Sequence, residues 1–336
     1  MEKIKIVVDA MGGDFAPPND VSGAIIAAEE KADSIEIILT GKEKLIKDEL
    51  LKHKVSLQNI SIVNAEEVVT MNDSPVESLK TKSDSSISVG INLVKEKKAD
   101  AFISAGNTGA VMTASILKLG RIKGVGRPTI GSLFPTDKGK TMVFDVGASV
   151  DCKPVHLLEF AVMGSIYMKN VYNVSNPSVG LLSVGEEKSK GDNLTLEAYG
   201  LLENSNLNFI GNVEGRDVLR GKADIIVCDG FVGNVILKFA ESVLDVLKSK
   251  FRNYAEKGFF KKIWVGMMYG TLKNVVLKDF DYQEYGGVPL LGVDGVSIIG
   301  HGKSSPIAIK NMIYKAEEMV RKKVNEKIEE ELKIKN

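Results

Sequence analysis

Across 336 residues the chain holds two cysteines, three histidines and one tryptophan. Cys152 and Cys228 stand too far apart for a Cys-x-x-Cys motif, and so few histidines offer no zinc-ligand spacing. A disulfide framework is excluded, so a reducing, cytoplasmic compartment is expected. Charge of one sign is also missing: basic and acidic side chains number 44 each, for a formal net charge of zero. There is no broad positive field of the kind that recruits nucleic acid, and no nucleic-acid partner is expected. No apolar run reaches the roughly 18 residues of a membrane-spanning helix. The first residues pass into a strand pattern without the charged-then-apolar order of a secretory leader. Three nucleotide and hydrolase signatures are absent as well: the Gly-x-x-x-x-Gly-Lys-Ser/Thr phosphate loop, the Gly-x-Gly-x-x-Gly dinucleotide turn and the Gly-x-Ser-x-Gly nucleophile elbow. Together these absences turn attention to small-anion chemistry supported by backbone groups.

What is present is a regular alternation. Short apolar runs read as strands at Ile4–Val8, Ile35–Leu39, Ile60–Asn64, Ala101–Ser104, Pro128–Leu133, Thr141–Asp145, Val179–Val184, Phe209–Ile210 and Ile225–Asp229. Helical patterns lie between them at about Asn19–Glu30, Lys42–Lys52, Ser88–Lys98, Pro154–Lys169 and Thr195–Glu203. Strand–helix alternation of this kind predicts an α/β fold with a mostly parallel sheet flanked by helices. No repeat or low-complexity linker divides the chain, so 1–336 is expected to form a single unit.

The region 236–280 departs from the alternation. Ile236, Ala240, Val243, Leu247 and Phe251 recur at helical spacing, and a second apolar stretch runs from Ile263 through Trp264 and Met268 to Val276. It reads as a protruding helical pair, either packed as a dimer contact or touching a membrane with Lys257, Lys261, Lys262 and Lys273 at its flank. The charged C-terminal pattern from Ile307 to Lys335 reads as a long helix with a solvated end.

Several turns follow predicted strands, which is where ligands bind in open α/β sheets. The first is Asp9-Ala10-Met11-Gly12-Gly13-Asp14. The second, Ser104-Ala105-Gly106-Asn107-Thr108-Gly109-Ala110, is rich in small residues and enters a helix. Glycines let the backbone approach an anion there, and free N–H groups point outward. Asp145-Val146-Gly147-Ala148 precedes Asp151-Cys152-Lys153-Pro154, where Asp151 could cap a helix and Cys152 could serve as a nucleophile beside His156. Lys190 and Arg216 stand in glycine-containing turns and could neutralise a phosphate. Asp229 ends an apolar strand, and Asn234 falls near the next helix start as a cap or a ligand contact. The last cluster, Asp294 to Ser304, offers His301 for proton transfer and Lys303 for an anion.

In their order these turns resemble the bacterial phosphate acyltransferase of phospholipid synthesis, the PlsX family. The resemblance runs from Val8–Asp14 through 104–110, Asp145–Pro154, Gly185–Gly191, Gly211–Asp217, Cys228–Asn234 and Asp281–Gly292 to Gly300–Ser304. Phe15 and Tyr285 depart from the family's pattern at positions given no chemistry. The resemblance implies an architecture like the phosphate acetyltransferases and the isocitrate/isopropylmalate dehydrogenases. It implies reversible transfer of a long-chain acyl group from acyl-acyl-carrier protein to inorganic phosphate, with no metal or nucleotide cofactor. It also implies a homodimer, peripheral contact with the inner face of the cell membrane, and delivery of acyl phosphate to a membrane glycerol-3-phosphate acyltransferase. Asn107, Thr108, Arg216, Asp229, His301 and Lys303 are then the expected catalytic groups. Asp9, Gly12, Gly13, Ser104, Gly106, Gly109, Asp145, Lys190 and Asn234 are expected to bind substrate. A short-chain phosphotransacylase acting on acyl-coenzyme A is the main alternative.

Overall fold

The computed structural model describes residues 2–53, 58–263, 265 and 285–333. Its strands are β1 (Ile4–Asp9), β2 (Ile35–Gly41), β3 (Ile60–Asn64), β4 (Ala101–Ser104), β5 (Thr129–Thr136), β6 (Gly139–Phe144), β7 (Ser178–Leu182), β8 (Asn208–Val213), β9 (Ile225–Val227), β10 (Val288–Leu291) and β11 (Val296–Ile299). They form one 11-stranded sheet in the order β3-β2-β1-β4-β11-β10-β5-β6-β9-β7-β8. One block, β3 to β11, is parallel throughout, and so is the other, β6 to β8. Between them β10 runs antiparallel to both β11 and β5, and β5 antiparallel to β6. The two parallel blocks therefore point in opposite directions. The mostly parallel α/β sheet expected from the alternation is present, but the antiparallel hairpin β10–β11 at its centre carries no strand expectation above.

Helices cover both faces: α1 (Pro18–Glu30), α2 (Glu43–Lys52), α3 (Pro75–Thr81), α4 (Ser86–Lys95), α5 (Thr108–Ala114), α6 (Pro154–Val171), α7 (Asn193–Glu203), α8 (Gly230–Ala255), α9 (Pro306–Arg321) and α10 (Val324–Lys333). Strands buried on both sides must be apolar at every position, and period-two alternation then sorts their side chains between two cores. Ile6 and Val8 enter one core while Val7 enters the other; Ala101 and Ile103 part from Phe102, and Ile225 and Val227 from Ile226, in the same way.

The C-terminal expectation needs correction. The chain leaves the helix at Lys323, which adopts a left-handed φ of 51°. In α10, Val324, Ile328 and Leu332 are buried at four-residue spacing in the core that α6 covers, so this end is docked by one apolar face rather than solvated. The first arm of the expected helical pair is α8, which starts earlier than expected, at Gly230. The second arm lies outside the described residues, apart from a helical turn over 259–263. Among the described residues no helix is long and apolar enough to cross a membrane.

Candidate active site

Because β1 and β4 pair in parallel with Val8 opposite Ile103, their ends place Asp9 beside Ser104. The Ser104 hydroxyl donates to Asp9 Oδ2 at 2.6 Å and accepts the Gly106 N–H at 3.0 Å. Asp9 Oδ1 accepts the Met11 N–H at 3.0 Å. One buried carboxylate thus ties the turn after β1 to the turn after β4. Gly12 is held in this junction: a Cβ there would stand 2.4 Å from Asp9 Oδ2 and 2.9 Å from the Gly106 nitrogen, so only glycine fits. Burial pushes the Asp9 carboxyl above its ordinary range, opposed by hydrogen bonds from Ser104, Ser86 and Met11. Asp9, expected to bind substrate, is completely buried, and its hydrogen bonds hold the two loops.

The third loop of this block follows β11, which pairs with β4. The Asp14 N–H donates to the Gly302 carbonyl at 2.8 Å, and the Asn19 amide donates to the Ser304 carbonyl at 3.0 Å. His301 is exposed, and its Nδ1 accepts the Lys303 N–H at 3.1 Å. That bond assigns the proton of the neutral ring to Nε2. Beneath the loops, Asp20 is buried with Oδ2 lacking a hydrogen-bond partner. Burial and the neighbouring Asp9 push its carboxyl well up.

Asn107, expected to act on phosphate directly, has its side chain committed elsewhere. Its Oδ1 caps α5 by accepting the Ala110 N–H at 3.0 Å. Its Nδ2 donates to the carbonyls of Thr70 at 3.1 Å, Met71 at 3.3 Å and Asp73 at 3.1 Å. The residue clamps segment 70–73 against the start of α5 and positions Thr108.

The opposite block repeats the device. Asp145, fully buried after β6, accepts the N–H groups of Ile130, Gly147, Ala148 and Ser149, the last at 2.6 Å. It too organises a loop. Asp229 caps α8 through Phe231 N–H at 2.9 Å and Val232 N–H at 3.1 Å. A Cβ on Gly233 would lie 1.8 Å from the Asp145 carbonyl oxygen, so glycine lets α8 press onto this loop and sets Asn234 beside Gly147.

The two blocks meet around a cavity of about 630 Å³. Thr108, His301 and Lys303 line it from one block, Gly147 and Asn234 from the other. Its apolar walls include Ile130, Phe134, Leu237 and Leu244, supplied by β5 and α8. β5 and β10 pair through Leu290–Ile130 and Leu291–Thr129; beyond that contact the cavity extends between residues 131–135 and 287–289.

Arg216 and Lys190 do not line this space. Arg216 pairs with Glu214 at 2.6 Å on an exposed turn, and Lys190 is exposed. Both turns belong to β7 and β8, at the far edge of the sheet. Cys152 is unsuited to attack, since burial pushes its thiol up to about 11 and it donates to the Ser149 carbonyl. His156 instead accepts the Lys153 N–H at the start of α6. Sequence reasoning did not assign chemistry to Lys238, Glu241 and Lys248, which line the cavity along α8. Their spacing of three and seven residues is visible in the chain, but which helical face meets the cleft is not. Tyr285, set aside above, also lines the wall.

Comparison with known proteins gives a consistent result. Residues 4–327 match the family described as fatty acid synthesis protein. The phosphate acyltransferase of Halothermothrix orenii is 48% identical over 331 residues, covering 98% of each chain. That of Geobacter sulfurreducens is 46% identical over 329 residues, covering 98% of this chain and 94% of the relative. Among solved structures, a phosphotransacetylase from Streptococcus pyogenes superposes with a TM-score of 0.62 at 18% identity, covering 95% of this chain and 94% of the other. A 4-hydroxythreonine-4-phosphate dehydrogenase from Klebsiella pneumoniae reaches 0.53 at 12% identity, covering 95% and 98%. At these identities the two structures share the fold.

Proposed function

The chain belongs to the phosphate acyltransferase family, whose reaction transfers an acyl group to phosphate, and from that premise we propose that its central cavity joins a long-chain acyl-carrier-protein thioester to inorganic phosphate. The observation that carries this reading is the cavity's mixed lining. Thr108, His301, Lys303 and Asn234 line it together with an apolar wall from β5 and α8. A small anion suits the first, and an acyl chain the second.

A phosphate oxygen attacks the thioester carbonyl carbon, forming the C–O bond. The tetrahedral intermediate collapses with cleavage of C–S, and the electron pair leaves on sulfur, which then takes up a proton. Phosphate dianion is nucleophilic without a general base, and a thiolate leaves readily. Positioning and charge compensation are therefore the main tasks of the protein. Lys303 offsets the phosphate charge, Thr108 and Asn234 orient it, and the Nε2–H of His301 donates to the oxyanion or the departing sulfur. Asp9, Ser104, Asn107 and Asp145 hold the loops that carry these groups. A direct transfer agrees with two thiols whose burial disfavours the thiolate, Cys152 and Cys228.

The same reading extends to partners. Phe231, Val235, Phe239, Val243 and Val246 are exposed at three- to four-residue spacing along α8, a stripe suited to a second copy of the chain in a homodimer. Phe259 and Phe260 are exposed beside Lys257, Lys261 and Lys262, a pairing of apolar and cationic groups suited to an anionic membrane surface. A cytoplasmic enzyme resting there would pass its apolar, hydrolysis-prone product to a membrane glycerol-3-phosphate acyltransferase.

The test is product analysis with long-chain acyl-carrier protein and inorganic phosphate. Phosphate-dependent acyl phosphate and free carrier are expected, with turnover lowered at least about 100-fold in Lys303→Ala. Folded protein that makes no acyl phosphate at any chain length, or undiminished turnover in that variant, overturns the assignment it tests.

A further inference from the structure

At Tyr172 and Tyr285 the central cavity adjoins a second pocket of about 470 Å³, whose lining also contains both rings. Its other walls come from α9 and the following Lys322, from Lys31 at the end of α1 and from Lys140 at the start of β6. Five cations line it, Lys31, Lys140, Lys315, Arg321 and Lys322, against two carboxylates. Glu317 is held by Lys31 and by Arg321, and Glu318 pairs with Lys322 at 3.0 Å. Lys140 and Lys315 form no ion pair among the described residues. Lys140 Nζ stands 4.7 Å from the Tyr285 ring centre and 5.8 Å from that of Tyr172. Lys315 Nζ lies 4.4 Å from the Tyr172 ring centre and donates to its hydroxyl at 3.2 Å.

Aromatic faces hold these two ammonium groups without neutralising them. Burial depresses the Lys315 ammonium to about 8, so it remains cationic at neutral pH at a cost that a bound anion would offset. The pocket thus combines two cations outside any ion pair, a tyrosine hydroxyl and room for more than a bare ion.

We propose that this pocket binds a phosphate ester on the arm of the thioester substrate, with Lys140 and Lys315 as its charge contacts. The inference rests on the acyl-carrier reading, since a carrier thioester hangs from a phosphate-linked arm. It orients the substrate: the arm enters between α9 and the end of α6, passes Tyr172 and Tyr285, and presents the thioester at His301 and Lys303. The acyl chain then leaves along β5 and α8. Tyr172 and Tyr285 form the gate between the two spaces.

The probes are acyl-pantetheine and acyl-4′-phosphopantetheine of one chain length, which differ by the phosphate alone. Wild type is expected to prefer the phosphorylated probe by at least about tenfold in kcat/KM, the worth of one charge-assisted contact. In Lys140→Gln and in Lys140→Gln/Lys315→Met the preference falls toward unity, while kcat/KM for acyl-pantetheine and KM for inorganic phosphate stay at wild-type values. Lys140 is exposed, so its single variant keeps the test independent of folding. Preference retained in both variants overturns the proposal. So does an equal loss with both probes, or a raised KM for inorganic phosphate, which would assign the pocket to the free anion. Calorimetric binding of 4′-phosphopantetheine against pantetheine, with the same variants, tests the pocket without turnover. A protein that discriminates between them but makes no acyl phosphate would retain the pocket and lose the catalytic reading.

Discussion

Deleting one hydroxyl, by Ser104→Ala, should disable the junction of two loops. That hydroxyl both donates to Asp9 Oδ2 and accepts the Gly106 N–H, in a place closed to water. Its loss leaves a buried N–H orphaned and removes one donor from a buried carboxylate. Each defect costs roughly 1–3 kcal/mol, so about 3 kcal/mol in all is a reasonable expectation. The charge on Asp9 adds a pH signature. Burial already raises this carboxyl above 3.8, and the Ser104 bond lowers it, so the variant's carboxyl must rise further. A folded carboxyl with a raised pKa binds protons that the unfolded chain has released, so stability falls as pH climbs from 3.8 through the folded pKa. The deficit of Ser104→Ala should therefore be smaller near pH 5 than near pH 8. Urea midpoints at the two pH values read this difference, and hydrogen exchange at Gly106 reads the freed amide. Displacement of the loop carrying Thr108 should lower kcat/KM for phosphate about 100-fold. Equal midpoints for variant and wild type at both pH values, with kcat/KM within twofold, would refute the reasoning.

Four further substitutions, at Asn107, Phe239 and Lys315, test the other assignments. Asn107→Ala removes a helix cap and the clamp on segment 70–73, and should cost about 1–2 kcal/mol with faster exchange in α5. Asn107→Asp, which keeps the cap but sets an acceptor against three carbonyls, should release segment 70–73 while leaving α5 protected; limited proteolysis distinguishes the two. Phe239→Glu on the exposed stripe of α8 should shift the sedimentation coefficient from dimer to monomer, and an unchanged dimer would remove α8 from the interface. For Lys315, the folded ammonium loses its proton near 8 while the unfolded one keeps it to about its ordinary 10.5, so wild-type stability rises across that window. Relative to Lys315→Met, the wild type should gain stability between those pH values, and parallel unfolding curves for the two proteins would contradict the burial assigned to Lys315.

Much of the fold is legible in local pattern. Runs such as Ile6-Val7-Val8 and Ile225-Ile226-Val227 are apolar at each position because helices cover both sheet faces. The short hairpin β10–β11 escaped that reading. Its four-residue strands are short, one carries Pro289, a glycine-bounded turn over 292–295 separates them, and their outer partners β5 and β4 lie far along the chain. Yet this hairpin joins the two parallel blocks through β5 and sets His301 and Lys303 beside β4. The turns at Lys190 and Arg216 looked equivalent to the others in the chain, because glycine and a cation are local features. Strand order decides that they lie at the sheet's far edge.

By itself, then, the sequence determined the alternating strands and helices, the loop chemistry and, through the order of its turns, the resemblance to one family. These depend on residues close in the chain, where side-chain period and backbone preference act. Only the tertiary structure decided which loops meet and what each polar group is free to do. Asn107 shows the reason: an amide that could face an anion has its acceptor taken by α5 and its donors by three carbonyls from segment 70–73. Such commitments are made across long stretches of chain, and local pattern carries no record of them.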